Sequence, residues 1–156
     1  MEYLIKSLEG PDDHRAAMRL YEQTIPWATT TMVEKVPGSL WQQAFDSPNS
    51  MWWIVGRGIA LIGFEEINSI DGVASPIISV DEACQKQGHG RKLAEVMRDI
   101  AFNTLNIRRI QSSLLADAPS IKLLEHLGFE KEGTSRAVRY RNGEYVDVVH
   151  YALIRS

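Results

Sequence analysis

The chain has 156 residues, with 17 Lys and Arg against 20 Asp and Glu for a formal charge of −3, and a single cysteine, Cys84. That length suits one domain over residues 1–156, able to bury roughly 70% of its unfolded surface without metal or disulfide. One thiol excludes an internal disulfide and fits a reducing, cytoplasmic setting; the charge disfavours broad nucleic-acid binding, and no apolar run approaches the roughly 20 residues of a membrane helix.

A first strand over residues 3–8 ends at Gly10-Pro11, and Asp12 or Asp13 then starts a helix carrying Ala17, Leu20, Tyr21 and Ile25, stopped by Pro26. Residues 27–36 are polar, threonine-rich and without period, the pattern of a loop. Pro37-Gly38-Ser39 opens a short helix with Leu40, Trp41, Ala44 and Phe45, closed by Pro48-Asn49-Ser50. Strands over 51–55 and 59–67 flank Gly56-Arg57-Gly58, and a turn over 69–72 leads into a strand over 74–80. From Gly90 the apolar residues Leu93, Val96, Met97 and Ile100, with Leu105 beyond, recur at helical spacing. A strand over 109–115, a short helix over 119–127 and strands over 134–141 and 145–154 complete the chain. The last two meet at Asn142-Gly143, a strong hairpin signal. The pattern is mixed α/β around a central, largely antiparallel sheet.

The most informative stretch is Gln85-Lys86-Gln87-Gly88-His89-Gly90-Arg91, set between a strand and a long amphipathic helix. Glycine there permits backbone angles closed to other residues and lets a ligand approach the main chain. The helix N-terminus adds unpaired N–H groups and the positive end of the dipole. Together these suit a phosphate or pyrophosphate. A P-loop is absent, since Gly90 is followed by Arg91-Lys92-Leu93 and not by Lys-Ser/Thr. A dinucleotide fingerprint fails too: Leu93 replaces its third glycine, and no acidic residue stands about twenty positions on to hold a ribose.

What remains is Q-x-x-G-x-G. Downstream, Asp117-Ala118-Pro119-Ser120-Ile121-Lys122-Leu123-Leu124-Glu125-His126-Leu127-Gly128-Phe129 follows the pattern N-x-x-[SA]-I-x-L-x-E-x-L-G-F. By these two blocks the chain resembles the GNAT superfamily of acyl-CoA-dependent N-acetyltransferases. Residues 130–133 and 140–149 are similar to its branch of ribosomal-protein N-terminal acetyltransferases. The resemblance covers about residues 50–155 and implies a sheet of about seven strands with about four helices, splayed at a cofactor cleft.

It implies acetyl-CoA as co-substrate and no metal; His14, His126 and His150 lie on separate elements without ligand spacing. Main-chain groups of Ile78, Ser79 and Val80 are expected to bind the pantetheine amides, and Gln85, Lys86, Gln87, Gly88, His89, Gly90 and Arg91 the pyrophosphate. Lys86, Arg91 and Lys92 add positive charge, or are ordinary solvated helix charges. His89 is expected to face solvent and serve through its backbone. Asp117 stands where the family has asparagine; capping of the following helix and contact with the cofactor are compatible roles for it.

The reaction the family implies is attack of an unprotonated amine on the thioester, through a tetrahedral intermediate, with protonation of the leaving thiolate. The family's tyrosine acid is replaced by Leu124. Ser120, at the helix start, is the candidate thiolate partner, with a capping hydroxyl as the alternative. The family's strand glutamate is replaced at about Ser75, and the turn over 69–72 would bring Glu65 and Glu66 opposite Ala74 and Ser75. Strand alternation would let only one of them face the cleft. Asp81 and Glu82 more naturally cap the bend, and Cys84 reads as an apolar filler. Trp27 is a candidate wall of the acceptor pocket, and the other tryptophans read as core. The acceptor would be a primary amine on a peptide N-terminus, a protein side chain or a small molecule, and the protein a monomer or homodimer. A catalytically weak acyl-CoA-binding module is the alternative function.

Overall fold

The computed structural model describes residues 2–24 and 43–156. Ile25, Pro26, Trp27, the expected loop over 27–36, Leu40 and Trp41 lie outside the described residues. Seven strands form one sheet: β1 (Ile5–Ser7), β2 (Met51–Val55), β3 (Ala60–Asn68), β4 (Val73–Val80), β5 (Arg109–Leu115), β6 (Glu130–Arg141) and β7 (Glu144–Ile154), in the order β1-β2-β3-β4-β5-β7-β6. The helices are α1 (Gly10–Glu22), α2 (His89–Asp99) and α3 (Ile121–His126), with a further helical turn over 43–46. Every neighbouring pair of strands is antiparallel except β4 and β5. No described helix is long and apolar enough to cross a membrane.

Alternation along the strands sorts side chains onto two faces. On one, Val55, Ile62, Phe64, Ala74, Ile110, Val149 and Tyr151 pack with Leu93 and Met97 of α2. On the other, Trp52, Ile54 and Leu61 pack with Ala17 and Leu20 of α1. Tyr151 also donates its hydroxyl to Glu125 Oε1 at 2.8 Å, tying α3 to β7. Gly128, at φ +90°, ends α3 in the left-handed conformation, and the N–H of Phe129 returns to the carbonyl of Leu124 at 3.0 Å.

The first elements differ from the sequence pattern at their ends. The first strand keeps only three residues, because its pairing with β2 stops at Ser7. Helix α1 begins at Gly10 instead of Asp12 or Asp13. Pro11 is tolerated in the first turn, and Asp12 and Asp13 sit where the helix dipole favours carboxylates. Asp13 Oδ2 then reaches back to accept from the N–H of Glu9 at 3.0 Å. At the far end, β6 starts at Glu130 because Glu130 already pairs with Ala152. The Asn142-Gly143 turn has φ values of +52° and +86°, the two positive angles of a type I′ hairpin.

The parallel pair sets the shape of the site. Strands β4 and β5 are in register only at Val73↔Arg109 and Ala74↔Ile110, although each runs on for several residues. Pro76, which has no N–H to give, lies just past the last pair. Beyond it the strands separate and leave a cleft at the centre of the sheet.

Gly63 marks a close approach on the α1 face. A Cβ built there would lie 2.5 Å from Trp52 Cε3 and 2.7 Å from the carbonyl oxygen of Met51. Gly63→Ala is therefore expected to destabilise the fold by about 1–3 kcal/mol through overpacking. Urea denaturation with an unchanged m-value checks it; a midpoint equal to that of the unsubstituted protein would refute the tight packing.

Candidate active site

The loop after β4 is braced by its own side chains. Asp81 accepts from the N–H of Ala83 at 3.0 Å, capping the short 3-10 turn Glu82–Cys84, and forms an ion pair with Arg19 of α1. That guanidinium, with the Ala83 N–H second, holds the Asp81 carboxyl below its ordinary range. Gln85 Nε2 donates to the carbonyl of Val80 at 3.1 Å, and Gln87 Nε2 to that of Ala83 at 3.3 Å. Both glutamine side chains thus stabilise the bend from within. Lys86 (φ +60°) and Gly88 (φ +85°) turn the chain into α2 through left-handed backbone.

At the start of α2 the first-turn N–H groups have no helical partners, and no acidic residue stands in that turn. A Cβ at Gly88 would meet no protein atom within 4 Å, and one at Gly90 only Leu123 Cδ2 at 4.0 Å. The space before these main-chain groups is open. Lys86, Gln85 and Gln87 are exposed, and Arg91 pairs loosely with Glu95 at 3.5 Å. This donor set suits a pyrophosphate. His89 does not face solvent as expected: it is half-buried, and its Nδ1 lies 2.7 Å from the hydroxyl of Tyr3, locking the N-terminal segment onto the loop. Cys84 is half-buried and free.

On the α1 face, Glu65 stands opposite Ser75 in the β3/β4 register. The hydroxyl of Tyr21 donates to Glu65 Oε1 at 2.9 Å, and the Tyr21 ring packs edge-on against Trp52 and Phe45. Burial, and secondarily the charge of Glu66, raises the Glu65 carboxyl above its ordinary value, while the bond from Tyr21 opposes the rise. Burial raises the Tyr21 hydroxyl as well, followed by the charge of Glu65. The expectation that strand alternation admits only one glutamate is corrected. A bulge between Glu65 and Asn68 puts Glu66 at φ +52°, and Glu66 Oε2 accepts from Ser75 Oγ at 3.1 Å. Both carboxylates therefore flank Ser75.

Ser79 is buried, and its hydroxyl bonds the carbonyl of Leu20, so its side chain docks α1 while its main chain belongs to β4. Ile78 and Val80 pack by their side chains into the α2-side core. Ser120 occupies the N-cap position of α3 but makes no side-chain capping bond, leaving its exposed hydroxyl uncommitted to the helix. Asp117 is not the cap either: four residues before the first residue of the helix, it forms an ion pair with Arg141 of β6. Glu82 is exposed in the 3-10 turn. Among the described residues no group of three His, Cys, Asp or Glu side chains could hold a metal. One polar cluster escaped the sequence pattern: His150 lies between Ser113 and Ser135 on three strands that only the register brings together.

A mixed sheet split at its single parallel pair, with an open helix N-terminus at the mouth of the split, is the architecture of an acyltransferase. The profile of the acetyltransferase (GNAT) domain matches residues 57–150, and the chain belongs to that family. It is 27% identical over 150 residues to the L-amino acid N-acetyltransferase AaaT of Escherichia coli, covering 92% of this chain and 93% of that protein. It is 30% identical over 99 residues to the spermidine N(1)-acetyltransferase of Vibrio cholerae, covering 63% of this chain and 57% of that one. The crystal structure of the Vibrio cholerae spermidine N-acetyltransferase in complex with CoA and spermine superposes with a TM-score of 0.79 at 22% identity, covering 97% of this chain and 95% of that one. The protein is an acetyl-CoA-dependent N-acetyltransferase acting on an amine.

Valine at position 88 would strain a φ of +85° and carry its side chain into the open space of the loop. Gly88→Val is expected to weaken acetyl-CoA binding by roughly tenfold or more, about 1.4 kcal/mol. Calorimetric titration measures it; unchanged affinity would remove the loop from the cofactor site.

Proposed function

We propose that the enzyme acetylates a small-molecule primary amine by direct attack on acetyl-CoA, with Glu65 as the base that draws the ammonium proton away through a water. The observation that carries this is the Tyr21–Glu65–Ser75–Glu66 arrangement, beside the point where β4 leaves β5. Two carboxylates there attract a cationic amine before reaction. Burial strengthens Glu65 as a base, as amine deprotonation requires. The family's strand glutamate has been replaced by Ser75, and Glu65 opposite it with Glu66 bonded to it supply carboxylates to the same region.

The remaining roles follow from the chain's own groups. Among Ile78, Ser79 and Val80, the main-chain N–H and C=O groups that point away from β3 would hold the pantetheine arm. Residues 85–91, with the first turn of α2, would hold the pyrophosphate. The uncapped hydroxyl of Ser120 would donate to the departing thiolate, where Leu124 offers no proton. Asp117, tied to Arg141, would shape the far wall and not contact the cofactor directly. A likeness of residues 130–133 and 140–149 to the ribosomal-protein branch would favour a peptide acceptor. The relatives named for L-amino acids and for spermidine favour a small one.

A thiol-release assay with acetyl-CoA and an amine panel tests the proposal. Glu65→Gln is expected to lower kcat/KM by roughly 10²–10⁴-fold, the usual share of general-base catalysis. Because the Glu65 carboxyl is raised, activity should fall as pH drops through a value above the ordinary carboxylate range, where the base becomes protonated. Tyr21→Phe removes a bond that favours the carboxylate, so that acid limb should move to higher pH. The stability sign is opposite to that of a paired carboxylate. A raised folded value means the folded state binds more protons, so stability is lost as pH rises from the ordinary value through the folded one. Glu65→Gln should therefore melt no lower than the unsubstituted protein at neutral pH while losing activity. Full activity in Glu65→Gln, or cofactor binding without turnover of any amine, would sink the assignment.

A further inference from the structure

Gly88-His89-Gly90 is where the loop before α2 has least of its own to hold it. Glycine has wide backbone freedom, so each one adds to the entropy that ordering the loop must overcome. The main-chain N–H groups of His89, Gly90 and Arg91 precede the first helical bond, from Lys92 to the carbonyl of Gly88 at 3.2 Å, and have no main-chain partner. Their directions follow from whatever fixes residues 88–90. A glycine offers no side chain to anchor, so the imidazole of His89 is the handle between the two.

Side-chain bonds hold the loop at two ends. At its entry Asp81 pairs with Arg19 of α1. In its middle Gln85 and Gln87 bond the carbonyls of Val80 and Ala83, which belong to the end of β4 and the same bend. Arg91 pairs with Glu95 inside α2. Beyond the left-handed turn at Lys86, the side-chain hydrogen bond that ties residues 86–90 to a distant part of the molecule, among the described residues, runs between His89 Nδ1 and the hydroxyl of Tyr3 at 2.7 Å. The two rings also meet tilted, with centroids 5.7 Å apart at 57°.

Tyr3 is itself held. Its ring packs against the α2-side core, the carbonyl of Leu4 accepts from the N–H of Gly56 at 2.7 Å, and Ile5 pairs with Val55 of β2. The edge of the sheet thus supplies a fixed post for the exit of the loop. The bond does not depend on one tautomer: the Tyr3 O–H donates to an unprotonated Nδ1, and a protonated Nδ1 donates to the Tyr3 oxygen. A pinned loop meets an anion with its N–H groups already aimed, whereas a free one must be ordered on binding at a cost in affinity. That cost falls on the part of the ligand the loop touches, not on its thioester.

Resting on the assignment of residues 85–91 to the pyrophosphate, we propose that Tyr3 is a positioning residue for acetyl-CoA, acting through His89 to hold the first N–H groups of α2 where the pyrophosphate is received. The test compares acetyl-CoA with S-acetyl-pantetheine, which carries the same thioester arm and no pyrophosphate, in a thiol-release assay at saturating amine, with calorimetric titration of CoA beside it. Tyr3→Phe keeps the ring and removes the hydroxyl. It should raise KM for acetyl-CoA and Kd for CoA by about three- to tenfold, the share of one hydrogen bond, while kcat and the kcat/KM for acetyl-pantetheine stay within about twofold. His89→Ala should weaken CoA by a similar factor, and the double variant should bind no more weakly than His89→Ala alone, because both changes remove one bond. His89→Asn, whose amide can meet the Tyr3 hydroxyl, should recover most of that loss. Unchanged CoA affinity in Tyr3→Phe overturns the proposal, as do additive losses in the double variant or an equal loss on acetyl-CoA and acetyl-pantetheine, which would mark a general structural role. Gly88→Val in the same assay separates the two readings. A loss there shared equally by acetyl-pantetheine removes the pyrophosphate from the loop and this proposal with it; a loss confined to acetyl-CoA, with Tyr3→Phe unaffected, overturns the positioning role alone.

Discussion

The molecule depends on a parallel strand pair that is allowed to fail. Strands β4 and β5 hold register for two residue pairs and then part, in a sheet whose other neighbours are all antiparallel. A parallel connection cannot be a tight hairpin and needs a crossover. That crossover is the loop at 81–88 with α2, so the glycine-containing bend and the split arise from one topological fact. Where β4 leaves its neighbour, the main-chain groups on its open side must find partners in water or in a ligand. The peptide-like arm of acetyl-CoA carries matching amides.

Helix α1 couples the two ends of this cleft. Arg19 pairs with Asp81 at the entry to the loop, and Tyr21, two residues on, holds Glu65. Between them the carbonyl of Leu20 takes the buried hydroxyl of Ser79 on β4. Three consecutive residues of one helix thus fix the loop, the strand and the carboxylate relative to each other. The ion pair is half-exposed and contributes little by itself. Its geometric effect is larger, because catalytic groups must be held to a fraction of an ångström.

Much of the architecture was legible from local pattern. Strand and helix periods, the glycines at 88 and 90 and the Asn142-Gly143 hairpin are short-range signals, and the elements fall where those signals put them to within a few residues. Side-chain direction was less legible. Glu65 and Glu66 read as alternatives because strand alternation assigns neighbours to opposite faces, and a bulge removed that rule at this position. His89 was expected in solvent, but Tyr3, 86 residues away in sequence, captured it. Asp117 resembled a cap until Arg141 of β6 claimed it.

The amino-acid sequence by itself determined the acetyltransferase class, because the two motifs that carry it, residues 85–90 and 117–129, are contiguous stretches legible without the fold. It also determined the order of helices and strands, through periodicity and punctuation. Only the tertiary structure decided which polar side chains meet: the two glutamates about Ser75, Tyr21 on Glu65, and His150 between Ser113 and Ser135. Those contacts join residues on different strands and helices. Register and bulges, set by the packing of the whole sheet, place them within hydrogen-bond reach, and no local spacing encodes that.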